Sequence, residues 1–270
     1  MIIGGGVIGA LVAWRLKRMG AEPVIVERGD WGRESSWAGA GILAPIQPWL
    51  YPDAFTVLAN ASLALYPRFV AELEEASGMA VEWRTTGMLV PFFPGDADEA
   101  EAALRWSARA GWRAVRLSAH EARAEVPHLA ADLMHAVLWP EVGQVRNPRL
   151  LAAAKKALLR LGVVVHEHTE AVALLRQGDA VCGVRTSDGE IAADAVVLAA
   201  GAWSGKLAQR WGLRLEVEPV KGEIVLLHGK SDDLRRIVKH ADVYAVPRKD
   251  GRILIGATMQ RVGFDRRTTE

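Results

Sequence analysis

Apolar residues in the first thirty positions fall into two short runs, Met1 to Ile3 and Val24-Ile25-Val26. Between them Leu11, Val12, Leu16 and Met19 recur at helical spacing, so the pattern predicts strand, helix, strand. A longer helical pattern covers about Asp53 to Ser77 through Phe55, Leu58, Leu63, Leu65, Phe69, Val70 and Leu73, with Pro67 expected to kink it or divide it. Val81 to Phe93 reads as strands, Asp96 to Ala110 as a helix, and Ser118-Ala119-His120-Glu121 as a capping box that opens another short helix. A helix over Pro148 to Leu161 then leads to Val163-Val164-Val165, a parallel strand expected to return to the first sheet. Antiparallel strands are predicted at Val172 to Leu175, Val181 to Thr186 and Ile191 to Ala199, and β patterning resumes over Leu215 to Leu227 and Val243 to Ile255. This alternation of helix and strand, with no internal repeat and no low-complexity linker, places the chain in the α/β class.

Composition narrows the partners. Across 270 residues, 33 Lys and Arg balance 32 Asp and Glu, so the net charge of +1 gives no field with which to neutralise a phosphate backbone, and nucleic acid is not expected. The single Cys182 cannot close an intrachain disulfide, and no stretch approaches the ~20 uninterrupted apolar residues of a bilayer span. The start of the chain lacks a basic leader and a small-residue cleavage pattern, so its glycines read as fold. A cytoplasmic chain with no membrane partner is the expectation.

The glycines carry the first chemistry. Gly4-Gly5-Gly6-Val7-Ile8-Gly9 lies between the first strand and the first helix, in the strand, Gly-x-Gly-x-x-Gly, helix order of a dinucleotide site. Gly4 permits the tight turn, Gly6 lets a pyrophosphate approach the backbone, Gly9 lets helix and strand pack closely, and the helix N-terminus favours the anion. The second strand ends in Glu27, placed to accept from an adenosine ribose hydroxyl. An acid rather than an Arg at that point argues against a 2′-phosphate, so FAD or NAD fits better than NADP. After Glu27 an NAD fold proceeds to another helix and strand, whereas Arg28 to Pro48 is rich in Gly, Ser and Ala. A surface linker is the plain alternative for Ser35-Ser36-Trp37-Ala38-Gly39-Ala40-Gly41-Ile42-Leu43, but its hydroxyls and amides also suit a pyrophosphate and the edge of a flavin. Far downstream, Asp188-Gly189 closes a hairpin, and Asp194 to Trp203 reads as a buried strand running into the small-residue turn Ala199-Ala200-Gly201-Ala202.

Other constellations are weaker. His166-Glu167-His168 shares a strand face at i and i+2, but no Cys or acidic cluster completes a ligand set, so no metal is expected. Ser35 and Ser36 lack the His and acid of a hydrolase. Among ten Trp residues, Trp203 stands closest to a cofactor motif.

Taken together, the sequence resembles the FAD-dependent amine oxidases of the D-amino acid oxidase superfamily, and within it the glycine oxidases of thiamin biosynthesis. The resemblance rests on Gly4 to Gly9, Ser35 to Leu43, Val145-Arg146-Asn147-Pro148, Ala199 to Ser204, Pro219-Val220-Lys221-Gly222-Glu223, Tyr244-Ala245-Val246-Pro247-Arg248, and Gly256-Ala257-Thr258-Met259. It implies an FAD-binding, Rossmann-like nucleotide domain of the GR2 type, over residues 1–45 and 146–212, interleaved with an α+β substrate domain with a mixed or antiparallel sheet over 46–145 and 213–262. Residues 263–270 form a polar terminal stretch. Non-covalent FAD is expected, held by Gly4, Gly6, Val7, Ile8, Gly9, Glu27, Arg28, Ser35, Ser36, Ala40, Gly41, Ile42, Ala171, Val172, Ala200, Gly201 and Trp203. Tyr244 is expected over the flavin, donating to a substrate carboxylate, with Met259 and Ile42 lining the same pocket.

The implied reaction is oxidation of glycine or another small amine acid to its imine, with oxygen as acceptor and hydrogen peroxide as product; homo-oligomers are a possible assembly. A sarcosine oxidase or D-amino acid dehydrogenase is the nearest alternative, and a non-catalytic FAD-binding fragment is a serious alternative of a different class. Members of the family continue past the position of Glu270 with an Arg for the substrate carboxylate. On that basis the 270-residue chain alone is expected to bind FAD weakly, with Arg261, Arg266 and Arg267 solvated rather than folded over a pocket.

Overall fold

A computed structural model describes residues 1–44, 51–229 and 234–269. The expected boundary at residue 45, the rest of the Gly- and Ala-rich segment to Pro48, and Glu270 lie outside the described residues. Ile2–Ile3 forms an inner strand of a four-stranded parallel sheet, in the order Val197–Leu198, Ile2–Ile3, Val24–Val26, Val164–His166. The return of 164–166 to this sheet is the placement the apolar run predicts. Above the sheet, the helices Val7–Arg18 and Asn147–Arg160 meet through alanines: Ala10 and Ala13 from one, Ala153, Ala154 and Ala157 from the other, all within 2% of full burial. Side chains this short let the backbones approach closely, and Trp14, Leu150, Leu158, Val70 and Leu73 fill the remaining volume.

The second large sheet is mixed. Its seven strands run Ile224–His228, Arg252–Gly256, Val243–Pro247, Ile237–His240, Met88–Phe92, His135–Trp139, Val115–Ser118. All neighbours are antiparallel except Ile237–His240 beside Met88–Phe92. The helix Ala97–Ala110 packs on it, and the buried Trp139 indole donates to Ser107 Oγ at 2.8 Å. A small sheet links the two halves of the molecule: Gly143–Gln144 lies between Ile42–Leu43 and Arg84–Thr85. The antiparallel strands Ala171–Gln177, Ala180–Thr186 and Gly189–Ala192 form a separate sheet whose last turn contains Asp188-Gly189.

Several expectations change. The helix Asp53–Ser77 is continuous through Pro67; that residue is exposed, and the turns after it are held by buried Val70, Leu73 and Ser77. The helix is long and apolar enough to cross a bilayer by length and composition, and Phe55, Val57, Leu58 and Leu65 on its N-terminal half are exposed. The run Ile191 to Ala199 splits: Gly189–Ala192 ends the hairpin sheet, while Val197–Leu198 joins the parallel sheet. Val197 and Leu198 are half-buried rather than buried, because Leu198 faces a cavity. Residues 213–223 hold no strand: Leu213, Leu215 and Val217 alternate with period 2, but no neighbouring strand supplies a ladder, and all three are exposed. The strand Ile237–His240 appears where none was predicted.

Candidate cofactor and substrate site

A cavity of about 470 Å³ opens where the parallel strands end. Its wall contains Gly4, Gly6 and Ile8 of the glycine loop, Glu27 and Arg28 after the second strand, and Ser35 and Ser36. Ala171, Ala200, Gly201 and Trp203 complete the expected members that line it. Gly4 has φ +112°, and a Cβ there would lie 2.4 Å from the Ala199 carbonyl oxygen, so the turn passes hard against the strand end opposite. Gly9 has a different constraint: its Cβ would lie 2.0 Å from Gly4 O. Gly6 is the N-cap of the helix Val7–Arg18 without a side-chain cap, and no acid occupies the first turn. The helix therefore presents its N-terminal partial positive charge to the cavity.

Glu27 does more than end a strand. Its Oε2 accepts from Gly5 N at 2.7 Å and its Oε1 from Gly29 N at 2.8 Å, so the carboxylate ties the glycine loop to the second strand. Val7 lies behind the cavity wall, its amide donating to Ser36 Oγ at 2.9 Å, and this bond fixes the helix Ser35–Ala38 against the loop. Val172 is a correction: it follows Ala171 on the edge strand Ala171–Gln177, where the register shifts between Ala171 and Ala173, and its side chain is 44% exposed and is not part of the cavity wall.

Sequence reasoning missed Thr169, Glu170, Leu198, Ala199, Lys206, Leu207, Arg210 and Phe264 in the wall. Lys206 and Arg210 stand at i and i+4 on the helix Ser204–Arg210, directly after the Trp203 motif, a spacing that marks one helix face. Phe264 carried no such signal. It stacks on Trp203 with centroids 5.4 Å apart, and the Arg28 guanidinium lies 4.6 Å from the centroid of that same Trp203 ring. The terminal stretch is therefore not simply solvated. Arg261, Arg266 and Arg267 are exposed, yet Arg266 pairs with Glu34 at 3.1 Å, Lys221 Nζ reaches the Arg267 carbonyl, and Thr269 N donates to Glu223 Oε1 at 2.7 Å.

The expected cofactor residues Ala40, Gly41 and Ile42, and the expected substrate residues Tyr244 and Met259, lie outside this cavity wall. Ala40, Ile42 and Tyr244 pack on one apolar cluster with Met88, Val90, Val246 and Leu254. Gly41 (φ +67°) sits beside it, where a Cβ would lie 2.0 Å from Val145 O. Tyr244 pairs in register with Gly256, and a Cβ on Gly256 would come within 3.0 Å of the Tyr244 hydroxyl oxygen. Burial pushes the Tyr244 phenol above its ordinary pKa, so it stays a proton donor. Met259 lies beyond the strand end at Gly256 and is 76% exposed.

The whole chain, residues 1–270, matches the family model described as FAD dependent oxidoreductase. The chain belongs to the FAD-dependent oxidoreductases. It is 42% identical over 271 residues to a glycine oxidase of Pseudomonas aeruginosa, covering all of this chain and 73% of that protein. It is 31% identical to a bifunctional protein ThiO/ThiG of Synechocystis, of which it covers 40%. Its fold is similar to the crystal structure of glycine oxidase from Geobacillus kaustophilus, with a TM-score of 0.92 at 34% identity over 99% of this chain and 73% of that one. The cofactor of this FAD-dependent oxidoreductase is FAD, and the cavity suits it: the helix Val7–Arg18 begins at its wall with no acid in the first turn, Gly4 and Gly6 leave room for a pyrophosphate, and Arg28, Lys206 and Arg210 belong to the same wall. Among the described residues Cys182 is exposed on the strand Ala180–Thr186 and absent from the cavity wall, so FAD is expected to be held without a covalent bond. Acid precipitation of the yellow protein should release all flavin to the supernatant; colour left in the pellet would contradict this.

Proposed function

We propose that this FAD-dependent oxidoreductase oxidises glycine, or another small amine acid, to the imine and passes the electrons to oxygen, forming hydrogen peroxide and serving formation of the thiamin thiazole. The observation that carries this reading is the 42% identity to a glycine oxidase, spread over the whole chain. The ThiO/ThiG relatives support the thiamin link. Bound FAD supplies the two-electron acceptor. The substrate loses one C–H and one N–H, so two electrons and two protons leave it, and oxygen takes up both pairs as hydrogen peroxide.

The chain's part is binding and orientation. The hydroxyl of Tyr244 would donate to the substrate carboxylate, and the apolar surface around Ile42 would exclude water from the reacting carbon. No strong general base is required if the amine binds neutral. Arg248 and Arg252 are not offered as carboxylate ligands: Arg248 serves protein oxygens at 2.7 to 3.2 Å, and Arg252 lies 3.8 Å from Asp250. A visible spectrum before and after anaerobic glycine tests the proposal. Bleaching of the flavin bands, then recovery with peroxide on admission of air, is expected; an unchanged spectrum at saturating glycine would refute it.

Tyr244→Phe should raise KM for glycine about tenfold while lowering kcat far less. A hydrogen bond to a carboxylate contributes roughly 1.5–3 kcal/mol, and a contact made both before and during hydride transfer is uniform binding. Steady-state kinetics with glycine and with a simple primary amine separate the roles: equal losses for both substrates would remove the carboxylate from the account.

A further inference from the structure

The crevice between the glycine-loop half of the molecule and the seven-stranded sheet holds a buried cation that the reaction above does not use. Arg248 is 8% exposed and directly follows Val243–Pro247, the strand that carries Tyr244. Its Nη2 donates to Ala40 O at 2.7 Å, and its Nη1 donates to Gln144 Oε1 at 2.8 Å and to Val145 O at 3.2 Å. These acceptors lie 103 to 208 residues away in sequence, and none of the three is a carboxylate. The neighbouring acids Glu82 and Asp250 pair instead with Arg146, at 3.1 and 3.0 Å. A buried guanidinium that serves three neutral oxygens contributes geometry rather than an ion pair, since its planar fork fixes the directions of several acceptors at once.

What those acceptors hold is specific. Ala40 precedes Gly41-Ile42; Gly41 O accepts from Val145 N at 2.9 Å, and Ile42 is paired in register with Gln144. The amide of Gln144 is itself oriented, since its Nε2 donates to Thr86 Oγ1 at 3.1 Å. We propose that Arg248 is a positioning residue: it locks Ala40 to Ile42 onto Gln144 and Val145, and so fixes the spacing between Ile42 and Tyr244 on which carboxylate binding depends. This rests on the reading of Tyr244 as the carboxylate donor.

The test uses the FAD-loaded protein and its Arg248→Lys and Arg248→Met variants. Acetate, an unreactive carboxylate, is titrated while the flavin absorption is followed, and amide exchange is measured separately on the same proteins. Both variants should keep the wild-type circular dichroism and bind FAD within about threefold of wild type. The acetate Kd should rise at least tenfold in each, including the Lys variant that keeps the charge. Exchange should accelerate at least tenfold in peptides containing 40–44 and 143–147, but not in the hairpin strands Ala171–Gln177 and Ala180–Thr186. Wild-type acetate affinity in the Lys variant would overturn the proposal in favour of charge alone. Faster exchange throughout the chain, or lost circular dichroism in both variants, would overturn it in favour of a general structural tie. A wild-type protein that neither binds acetate nor bleaches with glycine would refute the functional reading instead, and local exchange would still decide whether Arg248 locks the segment.

Discussion

Gly9→Ala should weaken FAD binding by at least about a hundredfold, although alanine is the better helix former. Gly9 lies in the first turns of Val7–Arg18, where helix propensity alone favours Ala over Gly by about 1 kcal/mol. The new Cβ, however, would stand 2.0 Å from Gly4 O, a backbone atom with no rotamer to give, and 3.3 Å from Ile2 Cγ2. Overpacking of this kind costs roughly 1–3 kcal/mol even where side chains can yield. Here the loop itself must move, so the penalty outweighs the propensity gain. The shift carries Gly4, already against Ala199, and with it the cavity wall that Gly4 and Gly6 form. Each decade of affinity is about 1.4 kcal/mol, so a strain of about 3 kcal/mol that FAD binding must overcome suffices. Titration of apoprotein with FAD, followed by quenching of flavin fluorescence, measures the effect. A Kd within threefold of wild type would show that the loop tolerates a methyl group and that close packing at Gly9 is not what shapes the cavity.

Glu27→Gln should lower FAD affinity by roughly ten- to a hundredfold, the equivalent of about 1.5–3 kcal/mol for a charge-assisted hydrogen bond. The structure adds a second reason for the loss. Both carboxylate oxygens already accept from backbone amides, Gly5 on one side and Gly29 on the other. The amide of Gln has one acceptor oxygen and one donor nitrogen, so one of those N–H groups would face another donor. The variant should therefore lose thermal stability even without cofactor, by several degrees on melting of the apoprotein. An unchanged melting temperature together with an unchanged FAD Kd would reduce Glu27 to a surface acid at a strand end.

The parts of this fold that were legible in the sequence are those whose code is local. Strand, glycine loop and helix over 2–18 follow from two apolar runs, a glycine spacing and a 3.6-residue period. The capping box at Ser118 and Glu121 is present in both its hydrogen bonds. The illegible parts depend on contacts far apart in the chain. The strand Ile237–His240 contains Lys239, which is 3% exposed, and a buried lysine hides the apolar alternation that would announce a strand. Leu213, Leu215 and Val217 show the opposite failure, an alternation without a partner. In the site, glycines and small residues gave away the cavity wall because close approach demands them, whereas Phe264 and Arg248 act through residues dozens to hundreds of positions away. Met259 lies three residues past the strand end at Gly256, where strand alternation no longer dictates the direction of a side chain, and it is 76% exposed.

The order of the parallel sheet also sets a timetable. Ile2 lies between Ile25 on one side and Val197 on the other, so Ile2–Ile3 waits for a strand made almost two hundred residues later. At about 5–20 residues per second of ribosomal synthesis, that interval is roughly 10 to 40 s. During it the nascent chain carries one bare edge of Ile2–Ile3, and the glycine loop lacks the Ala199 carbonyl against which Gly4 is shaped. Pairing at such sequence separation is slow because loop closure must precede any reward from the contact. Nascent chains arrested before residue 197 should therefore fail to retain FAD and should engage chaperones, and slowing translation upstream of that point should lengthen the exposure in proportion.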